Sequence, residues 1–215
     1  MKVKICGINS AEFARQAHAA GADFLGLLLG ITHLAEDKIT VEEARGIIRD
    51  SGVPREKFVM VTHLTRADEI ISIINELSLK NVQLHDDISP SEIEKIRAAL
   101  PALFIMKAVH VLDESAVQHA LTMEKHADAI ILDSRTKSRL GGTGLVHDWS
   151  ISREIVKECE KPVFLAGGLN PENVALAVRT VEPYAVDANS GVEYESGDKS
   201  EEKMREFVLR AKSAI

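Results

Sequence analysis

Two residue positions in this sequence are placed to move protons. Cys6 lies directly before Gly7 in the segment VKICGI (3–8), and Asp133 closes the apolar run AIIL in AIILDS (129–134). A thiol becomes a base or nucleophile when nearby positive charge draws off its proton. A carboxyl group lifted out of water holds its proton to higher pH and so can act as a general acid. Each also has a plainer reading. A free cysteine is most often an inert buried side chain, and Asp133 could cap the next turn.

Two further sets of residues point to ligands. Gly167-Gly168, Asn189-Ser190-Gly191 and the loop GGTG (141–144) are glycine clusters. Glycine lets backbone N–H groups come close to an anion, although the same residues also make tight turns. His33, His63, His85 and His110 fall at or just beyond the ends of four apolar runs. Neutral imidazoles converging there could hold Zn²⁺ or a similar ion, with Asp86, Asp87 or Asp133 completing the shell. The alternative is that each histidine caps a helix or touches a phosphorylated ligand without metal, and neither an HxH nor an HExxH spacing is present.

The elements that must position these groups follow one rhythm. Short β-branched runs alternate with amphipathic helical stretches. The runs are VKICGI (3–8), FLGLLLG (24–30), FVMVTH (58–63), NVQLH (81–85), LFIMKAVH (103–110), AIILDS (129–134), PVFLAGG (162–168) and AVDANSG (185–191). Helix starts are signalled by Ser10, by Thr40 with Glu43 as a capping box, by Ser89-Pro90 and by Asn170-Pro171. The last helix is expected over 201–214, with Met204, Phe207 and Val208 on its buried face. Continuously apolar runs fit parallel strands buried on both faces. Eight evenly spaced units favour a closed (β/α)₈ TIM barrel over an open doubly wound sheet, in a single α/β domain spanning 1–215. In such barrels the chemistry sits at the C-terminal strand ends, and the loops after strands 7 and 8 form the recurrent phosphate site. Lys107, inside the fifth run, is expected to point into the barrel in a structural or electrostatic role, paired with Asp133 or a glutamate; a cation near the substrate and a Schiff-base amine are the alternatives. Cys159 precedes the seventh run, at the far end from Cys6, so it is read as structural and no disulfide between the two is expected.

Composition narrows the partners. The chain has 215 residues, is 45% hydrophobic and 27% charged, and carries a net charge of −7. That acidity disfavours nucleic acid and anionic membrane. No apolar run has a membrane helix's length of roughly 20 residues, and, with a strand expected directly at the N-terminus, no signal peptide is expected. The expectation is a cytoplasmic protein, monomer or homodimer, acting on a small phosphorylated molecule.

The motifs KICGI (4–8), GAD (21–23), VQLH (82–85), ILD (131–133), GGTG (141–144), DW (148–149), AGGLNPENV (166–174) and VDANSGVE (186–193) together resemble the phosphoribosylanthranilate isomerase family, in order and from end to end. The resemblance implies an Amadori rearrangement of an aminoaldose phosphate to an aminoketose phosphate, with no metal or organic cofactor. It implies that Asp133 protonates the furanose ring oxygen and that Cys6, as thiolate, takes the proton from C2. It further implies that Gly168, Ser190 and Gly191 bind the phosphate through backbone amides, with Gly167 and Asn189 in the same loops. Gly142 and Gly144 would help cover the substrate, and His85 and Asp187 would add substrate contacts.

Two features depart from the family pattern. Aligning ITVEEAR (39–45) places Asp37 where the family carries an arginine that pairs with the anthranilate carboxylate. An anion there repels a carboxylate unless Lys38 turns inward. His63 and His110 stand where small residues are usual. The second reading is therefore a divergent paralogue with the same phosphate grip and a metal held by His33, His63, His85 and His110, acting as epimerase, lyase or hydrolase. A non-catalytic phosphometabolite-binding protein is the third.

Overall fold

Eight parallel strands close on themselves in the computed structural model, which describes residues 1–32, 37–134 and 148–214. They are β1 (Lys2–Ile5), β2 (Phe24–Leu28), β3 (Phe58–Thr62), β4 (Asn81–Leu84), β5 (Phe104–His110), β6 (Ala129–Asp133), β7 (Val163–Leu165) and β8 (Ala185–Ala188). Each pairs with its sequence neighbour, and β1 pairs with β8. The strands alternate with α1 (Ala11–Ala19), α2 (Val41–Ser51), α3 (Ala67–Leu77), α4 (Pro90–Ala99), α5 (Ser115–Met123), α6 (Trp149–Glu158), α7 (Val174–Val181) and α8 (Glu201–Lys212). The expected TIM barrel is the observed architecture.

The period of two along each strand sorts side chains into two cores. Val3, Ile5, Leu25, Leu27, Val82, Leu84, Ile105, Val109, Ile130 and Leu132 face outward and pack under the helices. Cys6, Leu28, Val59, Val61, Met106, Ala108, Ala129, Ile131, Phe164, Ala166 and Ala185 fill the barrel interior. Lys107 lies between Ile105 and Val109 in this alternation, so it faces the helices and not the lumen. Its ammonium donates to the Ala108 carbonyl, with Asp87 and Asp86 as the nearest carboxylate influences. The expectation that Lys107 pairs with Asp133 inside the barrel is thereby corrected.

The helix signals mostly hold. Ser10 and Ser89 accept from the third residue of their helices, and Thr40 and Glu43 form the reciprocal capping box. Asn170-Pro171 does not open α7. The Asn170 side chain instead accepts from the backbone N–H groups of Glu172 and Asn173, closing a turn that delays the helix to Val174. The apolar runs also overstate several strands. The β1 ladder stops at Ile5, and residues 6–8 continue as buried loop through Gly7. Among the described residues, no helix is long and apolar enough to cross a membrane.

Candidate active site

Residues on the interior side of β1 and β8 build the floor of the site. Lys4 and Asp187 are register partners, and the Lys4 ammonium donates to Asp187 Oδ2 at 2.7 Å with almost no exposure of either side chain. Burial opposes the ammonium, but Asp187 and the Cys6 sulfur hold its proton, so its pKa ends above the ordinary lysine value. Asp187 Oδ1 is buried and has no hydrogen-bond partner among the described residues. Cys6, two residues past Lys4 and just beyond the end of β1, lies against the Lys4 ammonium. Its sulfur fits because position 26 is glycine: a Cβ there would lie 2.7 Å from Sγ. Burial pushes the Cys6 thiol up to about 11, and the neighbouring Lys4 charge only partly offsets this. At that value Cys6 is a thiol at neutral pH in the free site, whereas the family resemblance implies a thiolate.

Asp133 ends β6, three strands around the barrel from β1. Its side chain is 16% exposed, Oδ1 accepts from the Ser134 backbone N–H at 2.7 Å, and burial pushes its pKa up to about 6. The Asp187 charge acts in the same direction, while Lys4 opposes it. Lys4 and Asp187 thus influence both the thiol and the carboxyl, which share one lumen.

Three histidines line the wall between β3 and β6. His63 stacks on His85 with centroids 5.2 Å apart, and His85 meets His110 edge-on at 5.1 Å. Gln83 Nε2 donates to His85 Nδ1 at 3.0 Å, so His85 carries its proton on Nε2, which lies 3.6 Å from Asp133 Oδ2. Burial and the other two histidines hold His85 well below its ordinary pKa, as a neutral imidazole. His110 Nε2 donates to the His85 carbonyl at 3.2 Å, and the β5–β6 register sets His110 beside Asp133. His85, His110 and Asp133 each offer one potential ligand atom within 4.8 Å of the others. The expected four-histidine shell changes accordingly: His63 is outside this group, Asp133 is inside it, and His33 lies outside the described residues.

The loops after β7 and β8 form the rim. Gly167 and Gly168 have φ of 84° and 70°. Ser190 and Gly191 open a 3₁₀ turn, Ser190–Val192, and a Cβ at position 191 would lie 1.9 Å from the Leu169 carbonyl oxygen. The two loops therefore touch backbone to backbone. Asn173 fastens the β7 loop by donating to the Gly168 carbonyl at 2.9 Å. The Asn189 amide is committed at both ends: Nδ2 donates to Asp37 Oδ2 at 2.8 Å, and Oδ1 accepts from the buried Lys199 ammonium. Asp37 thus faces the rim, while Lys38 is exposed and does not turn inward; the cation beside Asp37 is instead Lys199, since a Cβ at Gly7 would lie 2.2 Å from Asp37 Oδ2 and 2.9 Å from Lys199 Nζ. Gly142 and Gly144 lie outside the described residues. Cys159 caps α6 at Cys159 itself, far along the chain from Cys6, and both cysteines are free.

Lys4, Gln83, Gly26 and Lys199 were not singled out from the sequence. The signal for the first three was present, because each stands at an interior-facing position of an otherwise apolar strand.

The comparisons with known proteins agree over the whole chain. A family model described as N-(5'phosphoribosyl)anthranilate (PRA) isomerase matches residues 3–210. The chain is 43% identical over 215 residues to N-(5'-phosphoribosyl)anthranilate isomerase 2 of Methanosarcina mazei, spanning 99% of this chain and 95% of that protein. It is similar to the solved phosphoribosyl anthranilate isomerase of Thermotoga maritima, with a TM-score of 0.86, 31% identity and 99% of each chain covered. A phosphoribosyl anthranilate isomerase solved with reduced 1-(o-carboxyphenylamino)-1-deoxyribulose 5-phosphate gives a TM-score of 0.81 at 30% identity, again over 99% of each chain.

Proposed function

Because the chain belongs to the N-(5'-phosphoribosyl)anthranilate isomerase family, we propose that it is an aldose–ketose isomerase that converts an N-substituted aminoaldose phosphate, phosphoribosylanthranilate, to the aminoketose phosphate. The observation that carries this reading is the meeting of a carboxyl with a pKa of about 6 and a buried thiol in one lumen, below a glycine rim. No metal or organic cofactor takes part in the reaction, and the site acts on a small phosphorylated sugar.

The phosphate rests on the backbone amides of Gly168, Ser190 and Gly191, which the direct contact of the two loops brings together. Asp133 protonates the furanose ring oxygen. The C1–O bond breaks and an iminium forms at C1. Asp133 is well matched to this step: with a pKa of about 6, roughly a tenth of it is protonated at pH 7. Cys6 then removes the proton from C2, giving an enolamine that tautomerises to the ketone. The thiol first releases its proton to solvent, and Asp133 takes from solvent the proton it donates, so the pair gains and loses none overall; the iminium charge supports the thiol's loss together with Lys4, which already draws the Cys6 pKa down. Asp187 keeps Lys4 in place through one carboxylate oxygen and leaves the other to accept from a sugar hydroxyl. His85, oriented by Gln83, points its Nε2–H towards Asp133 and supports the carboxylate after it has given up its proton.

The test is turnover of phosphoribosylanthranilate by wild type, Cys6→Ala and Asp133→Asn in the presence of a chelator. The expected result is turnover by wild type and a loss of about 10²–10⁴ in kcat for each variant, the usual worth of one positioned proton transfer. Loss of less than tenfold in either variant, or no turnover by wild type, refutes the assignment.

A further inference from the structure

We propose that the mouth of the barrel is also a binding site for a divalent transition ion of the zinc class, held by His85, His110 and Asp133, and that the bound ion excludes the sugar phosphate. The binding stands on its own, whereas the exclusion rests on the isomerase reading.

The geometry of the donor set comes first. In a tetrahedral shell with metal–ligand bonds of 2.0–2.2 Å, neighbouring ligand atoms lie roughly 3.4 Å apart. His85 Nε2 and Asp133 Oδ2 are 3.6 Å apart, and all three candidate ligand atoms fall within 4.8 Å of one another. Small side-chain rotations close that gap. Two imidazoles and one carboxylate select a zinc-class ion over Mg²⁺ or Ca²⁺, which favour all-oxygen shells. Three protein ligands leave the fourth position open to water or substrate.

The surrounding contacts are those a ligating histidine uses. Each ring is oriented through a second atom: His110 by the His85 carbonyl at 3.2 Å, and His85 by the Gln83 amide at 3.0 Å. Gln83 supplies the independent observation. It is 3% exposed, and its Oε1 is buried without a hydrogen-bond partner among the described residues. With the amide in its present orientation the His85 proton sits on Nε2 and faces Asp133. A half-turn of the amide brings Oε1 to Nδ1 and moves the proton there. The Nε2 lone pair then faces the same point as the Asp133 carboxylate. Because Oε1 gives up no existing hydrogen bond, one side chain supports both a proton-bearing and a ligating His85. His63 walls the site by stacking on His85 but contributes no ligand atom to the group.

An ion at this point neutralises Asp133 as an acid, since a metal-bound carboxylate has no proton to give. It also takes up the lumen side of Asp133, from which that carboxyl must reach the sugar ring oxygen.

The test uses the full chain stripped of metal with a chelator and then dialysed free of it. Zn²⁺ is titrated against a chromophoric chelator, with Mg²⁺ as the control ion. The expected result is one Zn²⁺ per chain, no displacement by Mg²⁺, and affinity lower by at least roughly tenfold in His110→Ala and in Gln83→Leu, the cost of losing a ligand or its orienting partner. Circular dichroism checks that each variant is folded, and Asp133→Asn serves as the replacement if either is not. No stoichiometric Zn²⁺, or equal affinity in wild type and the folded variants, overturns the site. In wild type one equivalent of Zn²⁺ should abolish phosphoribosylanthranilate turnover, and chelator should restore it. Stoichiometric binding with undiminished turnover overturns the exclusion. Absence of turnover in both metal-free and chelated protein refutes the isomerase reading and leaves the binding result intact.

Discussion

Replacing Asp133 by asparagine should make the protein more stable while disabling it. Burial and the Asp187 charge lift the Asp133 carboxyl from its ordinary 3.8 to about 6. The folded state therefore holds the ionised form less willingly than the unfolded chain does. The sign follows directly. Below about pH 4 both states are protonated and there is no penalty. Between about pH 4 and pH 6 the unfolded chain ionises first, so stability falls as pH rises. Above pH 6 the penalty is complete. A shift of about two units corresponds to about 3 kcal/mol. Asparagine carries no charge, and its carbonyl keeps the hydrogen bond that Oδ1 takes from the Ser134 N–H. Urea unfolding of both proteins in the presence of chelator should show Asp133→Asn about 3 kcal/mol more stable at pH 7.5, with the gain vanishing near pH 4. In a thermal scan this corresponds to a rise of about 6–12 °C at the higher pH. Equal stability at pH 7.5, or a gain that persists unchanged at pH 4, would refute the claim that the carboxyl is held at a cost to the fold.

The same two groups set the pH dependence of turnover. The thiolate fraction of Cys6 rises tenfold per unit below about 11, while the protonated fraction of Asp133 is constant below about 6 and falls tenfold per unit above it. Their product climbs to about pH 6 and then stays level, so a kcat/KM that drops between pH 6 and 8 would remove Cys6 as the titrating base. Lys4→Met strands Asp187 without its buried cation and should cost about 3–5 kcal/mol of stability at neutral pH, measured by urea unfolding. A cost below 1 kcal/mol would show that water or another cation already serves Asp187.

The functional residues are costly to the fold at the points where they are useful. A carboxyl on an apolar wall and a thiol above a buried ion pair both sit in surroundings that disfavour their charged forms. Lys4 keeps that cost tolerable, because one ammonium answers Asp187 directly and draws down both the Cys6 and the Asp133 pKa.

The eight-unit barrel was legible in the sequence because runs of β-branched residues flanked by capped helices admit few other arrangements. Cys6, Asp133 and the glycine pairs were legible too, since each interrupts a pattern that packing alone would continue. Period-two alternation also held information that strand-by-strand reading passed over. It places Lys4 beneath Cys6 and Gln83 beneath His85 on the interior, and it sends Lys107 outward beneath the helices. What no local pattern contains is register and closure. His110 stands beside Asp133 only because of the pairing of β5 with β6, and Lys4 meets Asp187 only because β8 returns to β1. Which histidines share a point with a carboxylate was likewise decided in three dimensions. Side-chain chemistry is written residue by residue, but distances between strands 20 to 180 positions apart are set by the closed sheet, whose geometry depends on every strand at once.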